Sequence, residues 1–350
     1  MPESLAPEGG VSASLLADDF AESELDSSEV EVRALQIDLP QHAQRLDRAL
    51  AEKIPEFSRS YLQQLLALGA VSLNGFVVTK SAQRVKAGDR VRVEMRPTLQ
   101  SQAFRPESMC IDVVHEDEHL LVINKPAGLV VHPAPGNWTG TLLNGLLARD
   151  ARASEVPRAG IVHRLDKETS GLMVVARNRI TMDALVSMIA ARQVSRQYLA
   201  LAHGAWRGMK NRTVEGPIGR DPRNRLRMAV VDLARHSGKT AKTDIECLES
   251  TDVGCWVRCT LHTGRTHQIR VHMASAGHPL VTDVLYGGRV AAGMTRQALH
   301  AFRLAFVHPL TDQAMEFRAP LPPDMCAALT EWGIGYNTWS RHEQPVAPTK

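Results

Sequence analysis

Apolar residues recur at helical spacing over the first patterned part of the chain. Leu46, Leu50 and Ile54 lie four residues apart and predict one short helix. A second predicted helix begins after Ser58, whose hydroxyl suits the N-cap, and ends at Gly69, where a helix C-cap belongs. The pattern therefore opens with two helices in succession.

Short strands follow this helix pair. The turn pairs Asn74-Gly75 and Gly88-Asp89 separate three brief apolar runs, as in hairpins. Two helices followed by short strands predict a small α+β module over residues 43–97.

A second domain is predicted over residues 111–335, where apolar runs of strand length alternate with helical patterns. The strand-like runs fall at 120–124, 172–176, 198–202 and 256–261. The helical patterns fall at 141–149, 182–192 and 267–276. This interleaving indicates a second α+β unit.

Three segments lack such patterns. Residues 1–40 are rich in Glu, Asp, Ser and Ala, so ordering them would bury little apolar surface, and we expect a disordered acidic tail. Residues 98–110 are expected to be a linker, and residues 336–350 a C-terminal tail.

Charge is unevenly distributed along the chain. The net charge is +3, but residues 1–40 hold ten acidic side chains and one basic one, which leaves +12 on the remainder. A body with that excess attracts polyanions. The tail either screens this surface or keeps the protein soluble.

Composition indicates the compartment in which the protein is found and the state of its cysteines. Apolar stretches fall short of the roughly 20 residues that a membrane span needs, and the acidic N-terminus does not resemble a secretory signal. Five cysteines, an odd number spread widely, do not suit a disulfide framework. We expect a cytoplasmic protein with reduced thiols and no membrane association.

Asp166 is the first candidate for chemistry. It lies in a polar loop between two apolar runs of the segment 160–176, and catalytic groups are often carried on such loops. Asp also opens many tight turns by bonding nearby amides, here those of Thr169 and Ser170. The residues alone leave both roles open.

The loop nevertheless belongs to a long and specific string, HRLDKETSG at residues 163–171, which resembles the HRLDxxTSG motif of the RluA/RluD family of RNA pseudouridine synthases. KPAGLVVHP at 125–133, RQVSRQYLA at 192–200 and LHTGRTHQIRVH at 261–272 resemble further motifs of that family. The resemblance implies a mixed, largely antiparallel central sheet with flanking helices.

The family resemblance also implies roles for single residues. Asp166 would be the essential carboxylate, Tyr198 would stack on the flipped uracil, Arg265 would pair with Asp166, and Arg164 would fill the vacated base stack. Without the family, Tyr198 fits an ordinary core aromatic and Arg265 a surface arginine. The reaction implied needs no cofactor.

The module at 43–97 resembles the S4 RNA-binding domain. The resemblance rests on Arg45-Leu46-Asp47, Ser58-Arg59-Ser60, Gly69-Ala70-Val71, Asn74-Gly75 and Gly88-Asp89. It implies RNA contacts from Arg45, Arg48 and Arg59. The alternative, that these charges only solvate a helix face, stays open.

Residues 191–242 form the most basic stretch, with twelve Lys or Arg against three acidic residues. Phosphate contacts would explain this balance. The predicted RNA-binding residues here are Arg192, Arg196, Arg220, Arg223 and Arg225. Nearby Cys255, Cys259, His262 and His267 lack zinc-finger spacing, so no metal is expected.

The implied partner is large-subunit ribosomal RNA, in particular a stem-loop within an assembling particle, with no obligate protein partner. Two alternatives remain at this point: a synthase acting on transfer RNA, and a noncatalytic ribosome-assembly factor that binds through the S4 module.

Overall fold

The computed structural model describes residues 31–96, 103–134 and 136–335. Internal contacts divide the chain into two units, residues 1–98 and 99–350. The tail predicted at 336–350, and most of the one predicted at 1–40, lie outside the described residues. Within those residues, no helix is long and apolar enough to cross a membrane.

The first unit packs two helices against a four-stranded sheet. Its elements are β1 (Val32–Gln36), α1 (Leu46–Lys53), α2 (Arg59–Ala67), β2 (Val71–Leu73), β3 (Phe76–Val77) and β4 (Arg90–Glu94), with a 3-10 turn at Leu39–Gln41. The strand order is β1-β4-β2-β3. As predicted, the Ser58 hydroxyl caps α2 by accepting from the Tyr61 amide at 3.3 Å, and Gly69 follows α2 with a left-handed φ of 68°.

The prediction of a disordered tail is wrong for its last residues. β1 pairs antiparallel with β4 from Val32↔Glu94 to Gln36↔Arg90, and Ile37 behind it is buried. The strand is held by its main-chain ladder while most of its side chains stay exposed. Because no apolar alternation is needed for such an edge strand, the sequence carries little sign of it.

The second unit is built on a nine-stranded sheet and a separate three-stranded one. Its strands are β5 (Val113–Glu116), β6 (Leu120–Lys125), β7 (Ser170–Ala176), β8 (Ser195–His203), β9 (Asn211–Glu215), β10 (Ile218–Arg220), β11 (Met228–Val230), β12 (Gly238–Lys239), β13 (Lys242–Ser250), β14 (Gly254–Leu261), β15 (Leu299–Val307) and β16 (Ala314–Arg318). Its helices are α3 (Leu142–Arg149), α4 (Arg179–Ala190), α5 (Gln268–Ser275) and α6 (Pro323–Glu331), with 3-10 turns at Ala151–Glu155, Pro157–Gly160 and Val284–Tyr286.

The large sheet runs in the order β5-β6-β7-β15-β8-β14-β13-β9, and β16 pairs with β15. β7 and β15 are parallel, whereas the other neighbouring strands are antiparallel. This confirms the predicted mixed, largely antiparallel sheet with flanking helices.

Helices cover both faces of this sheet. α3 and α5 pack on the face that receives Tyr198 of β8. α4 and α6 pack on the opposite face, and Leu199 points towards α6. The alternation of side chains along β8 therefore sends Tyr198 to one layer and its neighbour to the other.

The parallel pair forms a narrow seam in the middle of the sheet. β7 and β15 pair only through Ser170↔His300 and Gly171↔Ala301. At Gly171, with φ of +115°, a Cβ would lie 2.2 Å from the Ala301 carbonyl oxygen, so no larger residue fits. The loop that carries Asp166 enters the sheet at this seam.

Part of the predicted linker belongs to the second unit. The Asn144 side-chain amide, in the first turn of α3, donates to the main-chain oxygens of Ala103 at 3.0 Å and Arg105 at 2.8 Å. The Gly140 amide donates to Glu107 Oε2 at 2.8 Å. Residues 103–110 are thus fastened to the start of α3, a polar contact that no apolar period announces.

Candidate active site

A cleft of about 730 Å³ opens in the second unit beside the seam. It brings together several residues that were predicted from distant motifs. These are Arg164, Asp166, Arg192, Arg196, Tyr198 and Arg265.

The backbone leading to Asp166 is unusual. Arg158, Ala159 and Gly160 are all left-handed, with φ of 55°, 53° and 77°. A Cβ on Gly160 would lie 1.8 Å from the Ala176 carbonyl oxygen, so the turn presses directly against β7. The apolar run before Asp166 forms only one β-bridge, between Ile161 and Val175, because the tight turn immediately precedes it.

The Asp166 side chain is not used to form the turn. The Thr169 amide donates to the Asp166 main-chain oxygen at 3.1 Å. The carboxylate instead accepts from Arg270 Nη1 at 3.0 Å through Oδ2, and the side chain is 18% exposed. The turn-forming role therefore does not account for this carboxylate, which reaches the cleft.

The ion pair with Asp166 is formed by Arg270, so the expectation that Arg265 makes it is wrong. Arg265 lies in the loop before α5, and its Nε donates to the Thr240 carbonyl oxygen at 3.1 Å. Both arginines line the cleft, but the first turns of α5 direct the later one at the carboxylate.

Arg270 is held from its other side by Asp283. Nε and Nη2 each donate to one Asp283 oxygen at 2.7 Å, and both side chains are buried. Burial alone would lower the Arg270 pKa, but the two carboxylates outweigh it and raise that pKa. The guanidinium is thus a fixed cation bridging Asp283 and Asp166.

His267 and Tyr286 complete this side of the cleft. The Tyr286 hydroxyl lies 2.7 Å from His267 Nδ1 and accepts from the Met228 amide at 3.0 Å. His267 Nε2 is 3.8 Å from Asp166 Oδ1. Burial lowers the pKa of His267, which favours the neutral imidazole.

Lys125 supports the Asp166 loop from beneath. Its buried ammonium donates to the main-chain oxygens of Pro126 at 2.8 Å, Leu129 at 2.9 Å and Lys167 at 3.1 Å. Burial lowers the Lys125 pKa to about 7, against the opposing effect of nearby carboxylates. The lysine ties the motif at 125–133 to the residue that follows Asp166.

Tyr198 stands on β8 in the wall of the cleft and is mostly buried. Burial is also the main reason that its pKa is raised, so the phenol is neutral. Its ring belongs to the main core cluster. Tyr198 therefore packs in the core and also lines the cleft, and its stacking on a base stays a prediction.

The predicted RNA-binding arginines fall into separate groups. Arg164 and Arg192 are exposed at the cleft, whereas Arg220, Arg223 and Arg225 are exposed on the three-stranded sheet and its connection. None of the last three lines the cleft as described. Their contact with RNA remains a prediction.

In the first unit, the predicted arginines already have carboxylate partners. Arg45 and Arg59 bind the fully buried Asp47, at 3.0 and 2.8 Å, and Arg48 pairs with Glu52 at 3.1 Å. Burial would raise the Asp47 pKa, but hydrogen bonds from Arg45, Gln63 and Arg59 hold it well below its usual range. The three arginines remain partly exposed, and their contact with RNA stays a prediction.

Sequence reasoning gave no role to Arg270 or Asp283. The need for a carboxylate partner follows from the burial of Arg270 in α5, and this burial is visible only in the folded chain. Within the described residues, no cluster of His, Cys, Asp or Glu is arranged to hold a metal ion. A metal-free site stays a prediction.

Comparison with known proteins agrees with this architecture. Residues 119–275 match the family model described as RNA pseudouridylate synthase, and residues 44–91 match the S4 domain. The chain belongs to the RNA pseudouridylate synthase family, and it carries an S4 domain.

Individual relatives are similar over most of their length. A Neisseria meningitidis protein named ribosomal large subunit pseudouridine synthase D is 47% identical over 89% of this chain and 84% of its own. An uncharacterized RNA pseudouridine synthase of Bacillus subtilis is 43% identical over 83% and 94%. The solved structure of human RNA pseudouridylate synthase domain containing 1 is 27% identical, with a TM-score of 0.50, over 67% of this chain and 89% of its own.

Proposed function

We propose that this enzyme converts uridines of large-subunit ribosomal RNA to pseudouridine, with Asp166 as the reacting carboxylate. The observation that carries the proposal is the Asp166 carboxylate in the cleft, paired with Arg270 at 3.0 Å. The names of its relatives support ribosomal RNA as the substrate. Such a substrate implies action in the cytoplasm.

The reaction breaks the bond from ribose C1′ to uracil N1 and forms a bond from C1′ to C5. The C5 proton is lost and N1 gains a proton, so atoms balance without an added reactant. A base inside a duplex is inaccessible to an enzyme, so the uridine must first leave its stack. The cleft volume of about 730 Å³ is ample for one flipped nucleotide.

The two oxygens of Asp166 are suited to different tasks. Oδ2 is occupied by Arg270, whereas Oδ1 accepts no hydrogen bond from a described residue. Arg270 orients the carboxylate through Oδ2, and Oδ1 is left to attack carbon or to accept a proton. Tyr198, on the neighbouring wall, offers an aromatic surface to the base.

Positive charge around the cleft supports RNA as the ligand. Arg158, Arg164 and Arg192 are exposed side chains that line it. RNA binding is therefore expected to weaken with salt, since each phosphate contact releases counterions. We further propose a stem-loop in an assembling large-subunit particle as the target.

Asp166→Asn tests the proposal. Asparagine has nearly the same size, but it supplies no anionic oxygen, so we expect product formation to fall at least 1,000-fold while RNA affinity stays within about threefold. The measurement is tritium release from uracil C5 of transcribed large-subunit RNA. Asp183→Asn, at an exposed aspartate that pairs with Arg179 on α4, is the matched control.

Two outcomes would count against the proposal. Substantial turnover by the Asn variant would remove Asp166 from the chemistry, and an inactive wild type that still binds RNA would favour a noncatalytic assembly factor. Transfer RNA serves as the competing substrate, and faster release from it would replace ribosomal RNA in the proposal.

A further inference from the structure

Arg196 differs from the other buried arginines of the described chain. Arg196, Arg270 and Arg296 are each less than 9% exposed. Arg270 binds Asp283 and Asp166, and Arg296 binds Asp324 at 2.7 Å. The Arg196 side chain has no ion pair and no hydrogen bond to any described residue, and its Nε is buried without a partner.

The neighbours of Arg196 do not compensate its charge. His163 also lies in the cleft wall, and burial together with Arg196 lowers its pKa to about 3, so it is neutral. Tyr198, two residues along the same strand, is a neutral phenol. A buried cation without an anion is costly, which indicates that the partner is supplied from outside the chain.

The cleft gives such a partner access to the guanidinium. Arg196 and Tyr198 are two positions apart on β8, so both point to the same face of the sheet, and both line the cleft. Across from them, a Cβ added to Gly264 would come within 2.9 Å of Arg196 Nη1. Gly264 does not adopt a left-handed φ, so an alanine at this position would require only that the Arg196 guanidinium shift.

We propose that Arg196 is an anion subsite in the cleft that receives an anionic oxygen of the flipped nucleotide. This inference rests on the proposed function. Two sources share the chemistry: a phosphate oxygen next to the target uridine, and a uracil carbonyl oxygen, which gains charge when the C1′–N1 electron pair stays on the base. The subsite is separate from Arg270, whose donors are already committed to Asp283 and Asp166.

Charge and shape at the subsite are tested in the full-length protein with Arg196→Gln, Arg196→Lys and Gly264→Ala. We expect Arg196→Gln to lose at least tenfold in kcat/KM, measured as tritium release from transcribed large-subunit RNA. Arg196→Lys keeps the charge, and because a lysine ammonium also binds an anionic oxygen as a point charge, it should recover most of that loss. Gly264→Ala displaces the guanidinium and should lower kcat/KM without removing a charge.

The two sources give different kinetics. If the partner is a phosphate, Arg196→Gln should bind RNA more weakly. Its plot of log affinity against log salt concentration should also have a slope smaller by about 0.7 to 0.9, because one phosphate contact is lost. A uracil oxygen predicts a lower rate at saturating RNA with unchanged affinity, because the interaction strengthens only as the bond breaks. Either result supports the subsite.

Stability separates this role from a structural one. If Arg196 is kept for a ligand, the neutral Arg196→Gln should melt at the wild-type temperature or above it. Wild-type rate and affinity in Arg196→Gln would overturn the inference, and so would equal losses in the Gln and Lys variants. If the wild type releases no tritium, the proposed function fails and the subsite falls with it. If wild type is active and Asp166→Asn is not, the proposed function stands whatever Arg196 does.

Discussion

Arg270→Lys tests whether one guanidinium holds both carboxylates of the cleft. Arg270 donates three charge-assisted hydrogen bonds, two to Asp283 and one to Asp166. A lysine ammonium keeps the charge, but it lacks the planar fork and cannot reach all three oxygens. Arg270→Lys therefore preserves the positive charge but removes the hydrogen-bond geometry.

The expected magnitude follows from the bonds lost. Two charge-assisted hydrogen bonds are lost, at about 1.5–3 kcal/mol each, and Asp283 stays buried beside a weaker partner. The expected loss in free energy of unfolding is therefore roughly 3–5 kcal/mol, which is typical of a broken buried ion pair. At about 2–4 °C per kcal/mol for a unit of this size, the melting temperature should fall by roughly 10 °C. Product formation should fall at least 100-fold.

Calorimetry and tritium release measure the two effects, and Arg265→Lys is the matched control. Arg265 donates to one carbonyl oxygen, so its replacement should change the free energy of unfolding by less than about 1 kcal/mol. A stable Arg270→Lys together with an unstable Arg265→Lys would refute the assignment of the ion pair. Equal loss of stability in both would mean that the guanidinium geometry is needed at both positions, which would contradict a special role for Arg270.

Three further predictions concern stability. Gly171→Ala should cost more than about 3 kcal/mol by forcing β7 from β15, whereas Gly208→Ala, with φ of +94° and open space, should cost about 1 kcal/mol in urea denaturation. Burial lowers the pKa of His163 to about 3. The contribution of this neutral histidine to the free energy of unfolding is therefore complete above pH 6.5 and is lost as the pH falls towards 3. His163→Asn should remove this pH dependence, which amounts to at most about 1.4 kcal/mol per pH unit. The Asp47 pKa is held low, so its contribution to the first unit is present above about pH 4 and lost below it, and Asp47→Asn should abolish that loss.

Sequence reasoning reached the parts of the fold that leave a periodic or motif signal. α1 and α2 follow from leucine spacing, and Asp166 follows from its long motif. It failed where partners are distant along the chain. Arg265 and Arg270 share one motif, and only the folded contacts with Asp166 and Asp283 distinguish them.

The sequence also did not predict the pairing of the edge strand β1 or the contacts of residues 103–110 with α3. β1 is held by main-chain hydrogen bonds, which any residue can make. The packing of Ala103 and Arg105 on α3 depends on the amide of Asn144. Neither contact requires a particular apolar period, so composition alone suggested a tail and a linker.

The position of β15 sets the order in which the catalytic unit can be completed during synthesis. This strand lies between β7 and β8, yet residues 299–307 are made roughly a hundred residues after either of them. Until they emerge, β7 and β8 each present an open edge, which is prone to wrong pairing. A nascent chain therefore carries Asp166 and Tyr198 long before β15 can join their strands.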